Sequence, residues 1–286
     1  MTAGPAPNLT IELALQLACS QLPDAATARL EAEMLLSWVL ACPRTTLRAW
    51  PERTLSAQQH TDFQQSLVRR LQGEPMAYIL GQREFWDFTL KVSPATLIPR
   101  PETEHLVELA LQRIPDNALW QLADLGTGSG AIALALASER RHCHVIASDA
   151  STEALAVAQA NANALSLHNI SFMQGNWFAP LRQQQFQVIV SNPPYVAQHD
   201  PHLQRGDCRF EPELALSSGH DGLDALRHII KTSPAHLTPG GWLLLEHGFD
   251  QGDAVTHLLQ QQGFKSVQCY ADYAGQERIS CGQWIN

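Results

Sequence analysis

At 286 residues with 45% hydrophobic content, the chain exceeds the usual size of one domain and can bury a sizeable core, so two domains are expected. A net charge of −9 with only 19 Lys and Arg argues against a non-specific duplex-binding protein, because phosphate contacts need clustered basic residues. No apolar run approaches membrane-spanning length, residues 1–8 carry no basic leader, and the six cysteines are scattered without a C-x-x-C pair; a soluble, monomeric, cytoplasmic protein is expected.

The first seventy-odd residues read as helices. Ile11, Leu15, Ala18, Cys19 and Leu22 follow one helical stripe. Asp24 is the expected cap of a second helix carrying Leu30, Met34, Leu35, Trp38 and Val39, and Ser56 caps a third carrying Phe63, Leu67 and Leu71. No chemistry is visible there, and a recognition bundle and a purely structural one fit equally. Residues 78–92, with the aromatic cluster Phe85, Trp86 and Phe88, read as a hairpin linking the halves. The expected division is a helical domain over 1–74, a hairpin linker over 75–98 and a catalytic domain over 99–286.

After a helix at 102–113 the pattern becomes α/β. A strand at 121–125 runs into Gly126-Thr127-Gly128-Ser129-Gly130 and then an Ala/Leu-rich helix at 131–138. Strand, glycine loop and helix in that order make a nucleotide-type site, where glycines admit the ligand and the helix N-terminus offers free N–H groups. A second strand, 144–148, ends in Asp149, placed to hold ribose hydroxyls. His142 and His144 flank Cys143, but neighbouring strand residues face opposite ways, so no metal site is expected. Gly126, Gly128 and Ala131 also satisfy the dinucleotide pattern G-x-G-x-x-G/A. Asp124, giving D-x-G-x-G, favours S-adenosylmethionine: a carboxylate there suits the methionine ammonium and would repel a pyrophosphate. Gly130 brings the backbone close at a third point.

Further strands and helices alternate: helix 152–165, strand 170–174, strand 187–191, helix 224–235, strand 241–247, helix 252–261. Two closing strands, 266–271 and 278–284, have no helix between them and should pair antiparallel. The strand at 187–191 ends in Asn192-Pro193-Pro194-Tyr195. Asn offers a side-chain carbonyl, the first Pro a second carbonyl with no local N–H competing for it, and Tyr a flat apolar face. Together they suit a planar group bearing an NH2, the recognition problem of methylating an amide or an exocyclic amine. Residues 196–223 are long, polar and aperiodic, as a substrate-gripping loop or a disordered one would be.

The chain resembles the HemK/PrmC family of protein-(glutamine) methyltransferases. The resemblance rests on Tyr78-Ile79-Leu80-Gly81, Arg83-Glu84-Phe85-Trp86, the run from Leu97 through Ile98-Pro99-Arg100-Pro101-Glu102-Thr103 to Glu104, the glycine loop, Asn192 to Tyr195, Arg209-Phe210-Glu211-Pro212 and Leu245-Glu246-His247-Gly248. It implies a class I S-adenosylmethionine-dependent methyltransferase: a doubly wound seven-stranded sheet, last strand antiparallel, behind a helical N-terminal domain. The implied donor-binding residues are Asp124, Gly126, Thr127, Gly128, Ser129, Gly130, Asp149, Asn176, Trp177 and Asn192. Asn192, Pro193, Pro194 and Tyr195 would bind the substrate amide, with Asn192, Pro193 and Tyr195 carrying the chemistry. Asn176 stands where many members carry Asp, and its carbonyl can still accept a hydrogen bond from adenine. The implied substrate is the glutamine of a Gly-Gly-Gln motif in class I peptide-chain release factors, with no stable nucleic-acid or membrane partner. A ribosomal-protein glutamine and a nucleic-acid adenine N6 are the other acceptors compatible with these motifs.

Overall fold

The computed structural model describes residues 9–286; residues 1–8, where no leader is expected, lie outside the described residues. The chain divides into two compact units, Met1–Gly81 and Gln82–Asn286.

The first unit is helical: α1 Ile11–Cys19, α2 Ala28–Val39, α3 Arg44–Ala49, α4 Ala57–Leu71 and α5 Met76–Leu80. Ile11, Leu15, Leu35, Leu36, Phe63 and Leu67 are buried together, and each side chain of this size contributes roughly 1.5–3 kcal/mol when buried. α4 opens as its sequence suggests, with Ser56 and Gln59 forming a reciprocal capping box. Asp24 does not cap α2. It accepts from the Ala26 N–H at 3.0 Å and the Thr27 hydroxyl at 3.0 Å, holding the turn before the helix. The buried face of α2 is Ala28, Ala32, Glu33, Leu35 and Leu36, so Leu30 and Trp38 lie outward. Glu33 explains the shift of stripe: its carboxylate is inside and meets Arg29 (3.0 Å), Arg44 (2.7 Å) and Arg48 (3.0 Å). Burial would raise its pKa, but the hydrogen bonds from Arg48, Arg44 and Arg29 outweigh that and hold it at about 2.

The expected hairpin at 78–92 is shorter. Pro75 opens α5, so residues 78–80 are helical, and the hairpin is β1 Gln82–Phe85 with β2 Phe88–Lys91, both in the second unit. The boundary therefore falls at Gly81, not at residue 74, and the hairpin is part of the larger body.

That body carries α6 Glu102–Leu111, α7 Ala131–Glu139, α8 Thr152–Ala164, α9 Glu213–Leu216, α10 Asp224–Thr232 and α11 Gly252–Gln262 around strands β3 Gln121–Leu125, β4 His144–Asp149, β5 Ile170–Gln174, β6 Phe186–Ser191, β7 Leu237–Glu246, β8 Lys265–Ala271 and β9 Glu277–Gln283. The seven strands are ordered β5-β4-β3-β6-β7-β9-β8. β3 to β7 pair in parallel, and β9 runs antiparallel to both β7 and β8. Alternation along the strands supplies both faces: Leu122, Val188, Val190 and Leu244 enter one apolar cluster, Ala123, Ile189, Leu243 and Leu245 the other. Residues 131–137 of α7 are all buried, as a helix apolar all round requires. Strand order reverses between β3 and β6, and ligands in such sheets bind outside the carboxyl ends of the strands at that point.

Candidate active site

The carboxyl ends of β3, β4 and β6 open on a cavity of about 880 Å³. Its wall includes Gly126, Thr127, Gly128 and Ser129 from the loop after β3, Asp149 at the end of β4, Asn176 and Trp177 after β5, and Asn192 and Pro194 after β6. Register makes this convergence unavoidable. Leu125 pairs with Ser148 on one side and with Ser191 on the other, so the next residue of each strand emerges at the same level.

The glycine loop is shaped for close approach. Gly126 has φ +73°, and an added Cβ would stand 3.1 Å from the Trp177 ring, so the indole lies directly against the loop. Gly130, at φ +88°, sits where a Cβ would meet Leu134 at 3.0 Å and Ala158 at 3.2 Å; it lets α7 start tightly and does not reach the wall itself. Asp149 accepts from the Gly128 N–H at 2.8 Å and the Ser151 N–H at 2.9 Å. Each of its oxygens keeps a further lone pair for a diol. Asn161 ties the loop to the hairpin: its Nδ2 donates to Ser129 O (2.9 Å) and Lys91 O (3.0 Å), and its Oδ1 accepts from Lys91 N–H (2.8 Å). The glycine cradle under an indole, the Asp149 carboxylate and the N-terminus of α7 fit an adenosyl group with an anionic tail.

Four expected site residues lie off the wall: Gly130, Asp124, Tyr195 and Pro193. Asp124 is completely buried and takes the Thr127 hydroxyl at 2.6 Å, while its other oxygen has no hydrogen-bond partner. Strand alternation turns it toward the α7 face, so it shapes the loop from below and does not reach the cavity. Burial pushes its pKa up to about 7, against the Thr127 hydrogen bond. Tyr195 packs on the second apolar cluster, not along the cavity, and its backbone carbonyl accepts from Gln251 Nε2 at 3.0 Å. Burial and the nearby Glu246 carboxyl push its phenol pKa upward. Pro193 is buried at the turn.

Asn192 has partners that no local pattern announces. Its Nδ2 donates to Thr103 Oγ1 at 3.2 Å, and the Thr103 hydroxyl donates to Glu246 Oε2 at 2.7 Å. Thr103 comes from the first turn of α6 and Glu246 from the end of β7, where Leu245 pairs with Ser191. Glu246 is 1% exposed; burial drives its pKa up to about 7, against hydrogen bonds from Thr103 and Asn192.

Residues 196–223 are ordered. Val196 N–H donates to Leu216 O at 2.9 Å, and the buried Glu211 accepts from Ile98 N–H at 2.9 Å and pairs with Arg100. This brings Pro212, Leu214 and Ser217 to the cavity, with Leu214 89% exposed at its mouth. Asp224, Ala225 and His228 of α10 complete the far wall. The sequence offered no sign of these last three beyond the amphipathic pattern of their helix.

This sheet order and this cavity define a class I methyltransferase. Residues 14–81 match the family model described as PrmC N-terminal domain, and residues 104–206 the one described as methyltransferase small domain. A release factor glutamine methyltransferase of Vibrio cholerae serotype O1 is 49% identical over 97% of this chain and 98% of its own length. One from Pseudomonas aeruginosa is 51% identical over 93% and 96%. A crystal structure of a methyltransferase from Pyrococcus furiosus superposes with a TM-score of 0.54 at 17% identity, covering 77% of this chain and 98% of that one, and speaks for the fold alone. The chain belongs to the release factor glutamine methyltransferase family.

Proposed function

We propose that this chain transfers a methyl group from S-adenosylmethionine to the side-chain nitrogen N5 of the glutamine in the Gly-Gly-Gln motif of class I peptide-chain release factors. One observation carries the reading: the donor cradle (Gly126–Ser129 with Asp149) and the acceptor turn (Asn192, Pro194) share one cavity wall at the ends of adjacent strands. The family supplies the acceptor protein.

The donor, when bound, supplies an electrophilic sulfonium methyl; the S–CH3 bond breaks as the N5–CH3 bond forms, and the surplus amide proton leaves to water. An amide nitrogen is a weak nucleophile, and positioning is the main resource. Asn192 Oδ1 and the Pro193 carbonyl accept the two N5 hydrogens, which aims the nitrogen along the cavity and stabilises positive charge growing on it. Holding two reactants in line in this way lowers barriers by roughly 7–11 kcal/mol in well-oriented systems. Asp149 would hold the ribose, Trp177 and Asn176 the adenine, and the N–H groups at the start of α7 the methionine carboxylate. Asp124 works through Thr127 by fixing the loop. Tyr195 braces the turn from behind.

The protein acts as a cytoplasmic monomer without a stable nucleic-acid or membrane partner. The charge of −9 supports the first exclusion; no helix among the described residues is long and apolar enough to cross a membrane. Mass spectrometry of a release factor after reaction tests the whole reading. A single methyl on the Gly-Gly-Gln glutamine is expected, and none when that glutamine is replaced by asparagine, one methylene shorter. Methyl transfer to another residue, or equal transfer to DNA, would overturn it.

A further inference from the structure

We infer that Thr103 and Glu246 are positioning residues that fix which way round the Asn192 carboxamide sits, and so hold its oxygen ready for the substrate amide. The inference rests on the reading that Asn192 Oδ1 receives a substrate N–H.

An asparagine side chain is nearly symmetric in shape, and its two ends differ only in hydrogen-bond sense. Turned over, Asn192 would present an NH2 to the NH2 of the incoming glutamine, donor against donor. Nothing in the tetrapeptide itself prevents this. The prevention comes from 89 residues upstream and 54 residues downstream, through a chain of two hydrogen bonds. In its ionised form, the state it holds above the pH of about 7 to which burial lifts it, Glu246 can only accept, so the single hydroxyl proton of Thr103 is then committed to Glu246 Oε2 at 2.7 Å. Thr103 Oγ1 then offers only lone pairs to its other neighbour. The atom of Asn192 that stands 3.2 Å away must therefore be the donor, Nδ2. With Oδ1 there instead, two acceptors would face each other in a site where Thr103 is 4% exposed and water cannot intervene freely. Oδ1 is left as the free end, and Asn192 and Thr103 both stand on the cavity wall.

The geometry also explains why a carboxylate is placed at a position so unfavourable to charge. Glu246 continues an apolar strand, Leu243-Leu244-Leu245, of which every side chain is completely buried. A neutral acceptor that could itself turn over, such as glutamine, would pass its ambiguity along the chain. A hydroxyl between a carboxylate and a carboxamide carries only one polarity.

The test is a double-mutant cycle on the full-length protein with intact release factor, run at pH 8, where Glu246 is ionised. Thr103→Val keeps the shape and removes the hydroxyl; kcat should fall about ten- to a hundredfold, the scale on which loss of an orienting outer partner acts. KM for the release factor and the affinity for S-adenosylhomocysteine should stay within about twofold, and Thr103→Ser, which restores the hydroxyl, should recover most of kcat. In an Asn192→Ala background Thr103→Val should cost nothing further, because the carboxamide it orients is gone. A merely structural Thr103 would subtract the same factor in both backgrounds, and that additive result overturns the proposal, as does a Thr103→Val protein with native kcat. Asn192→Ala alone serves as the separate control. If it keeps native turnover, the reading of Asn192 as acceptor fails first; if it is crippled while Thr103→Val is not, only the positioning role fails.

Discussion

The Gly128 N–H donates to Asp149 Oδ2 at 2.8 Å, so the glycine loop after one strand is pinned by the carboxylate that ends the next. Asp149 therefore holds the glycine loop in place, and in the proposed site its free lone pairs also take the ribose. Asp149→Ala is expected to weaken S-adenosylhomocysteine binding by about 1–3 kcal/mol, the cost of losing charge-assisted hydrogen bonds. Calorimetry on the folded variant measures this, and unchanged affinity would take Asp149 out of the site.

The two glycines on the wall should respond differently to alanine. Gly126→Ala drives a methyl into Trp177 at 3.1 Å on top of a left-handed backbone, and should lower the unfolding temperature of the free protein. At Gly128 an added Cβ meets nothing within 4 Å, so only the backbone penalty of about 1–2 kcal/mol remains. Gly128→Ala should accordingly be the milder change for folding and still lose donor affinity, since Gly128 lines the cavity. Thermal unfolding and calorimetry on the pair check the crossing; a Gly128→Ala protein less stable than Gly126→Ala contradicts it.

Asn192→Ala is expected to fold, to keep most of its donor affinity and to lose at least about a hundredfold in kcat, as when one preorganised polar group is removed from an active site. Single-turnover methylation of a release factor reads the loss directly.

Leu214 is exposed at the mouth of the cavity, where the proposed reaction would bring the release-factor loop. Leu214→Asp should raise KM for the release factor about tenfold, the scale of a moderate interface hot spot, and leave S-adenosylhomocysteine binding as it is. An unchanged KM would put the protein contact elsewhere.

Glu246 and Asp124 make a statement about acidity. Both are buried, and burial lifts each to about 7 from ordinary values of 4.5 and 3.8. Between those limits the unfolded chain has released protons that the folded chain retains, so these groups favour folding at low pH and withdraw that support as pH rises to about 7. Glu246→Gln removes one titration. The difference in unfolding free energy between native and variant should therefore change by roughly 3 kcal/mol from pH 4.5 to 7 and level off above. Denaturation at pH 5 and pH 8 decides it, and parallel curves would refute it. Glu33 acts in the opposite sense: held at about 2 by its arginines, it supports folding above its ordinary value of 4.5 and loses that support as pH falls toward 2.

Where a residue's neighbours lie along the chain, the sequence was readable. β5 is found at the residues its pattern marks, and Ser56 caps α4 because its partner Gln59 is three residues away. α3 leaves no periodic mark, because its six residues bury only Leu47, too few to show a stripe. The face of α2 is not legible in the pattern because Glu33 counts as polar there, and its burial depends on arginines brought from α3. At the site, the loop and the turn after β6 were legible as motifs. The direction in which Asp124 and Tyr195 point was not, nor was the bond from Thr103 to a glutamate 143 residues away.

The triple attachment of Asn161 sets where this protein can be cut. Two of its three hydrogen bonds go to Lys91, in the hairpin, and the third steadies the Ser129 carbonyl beside the donor cradle. A shortened protein that begins at residue 99 would retain every residue of the seven-stranded sheet and still lose the hairpin half of that clamp. Its glycine loop would rest on a buried amide with an unmatched donor and acceptor. The smallest catalytic fragment worth expressing therefore begins at Gln82.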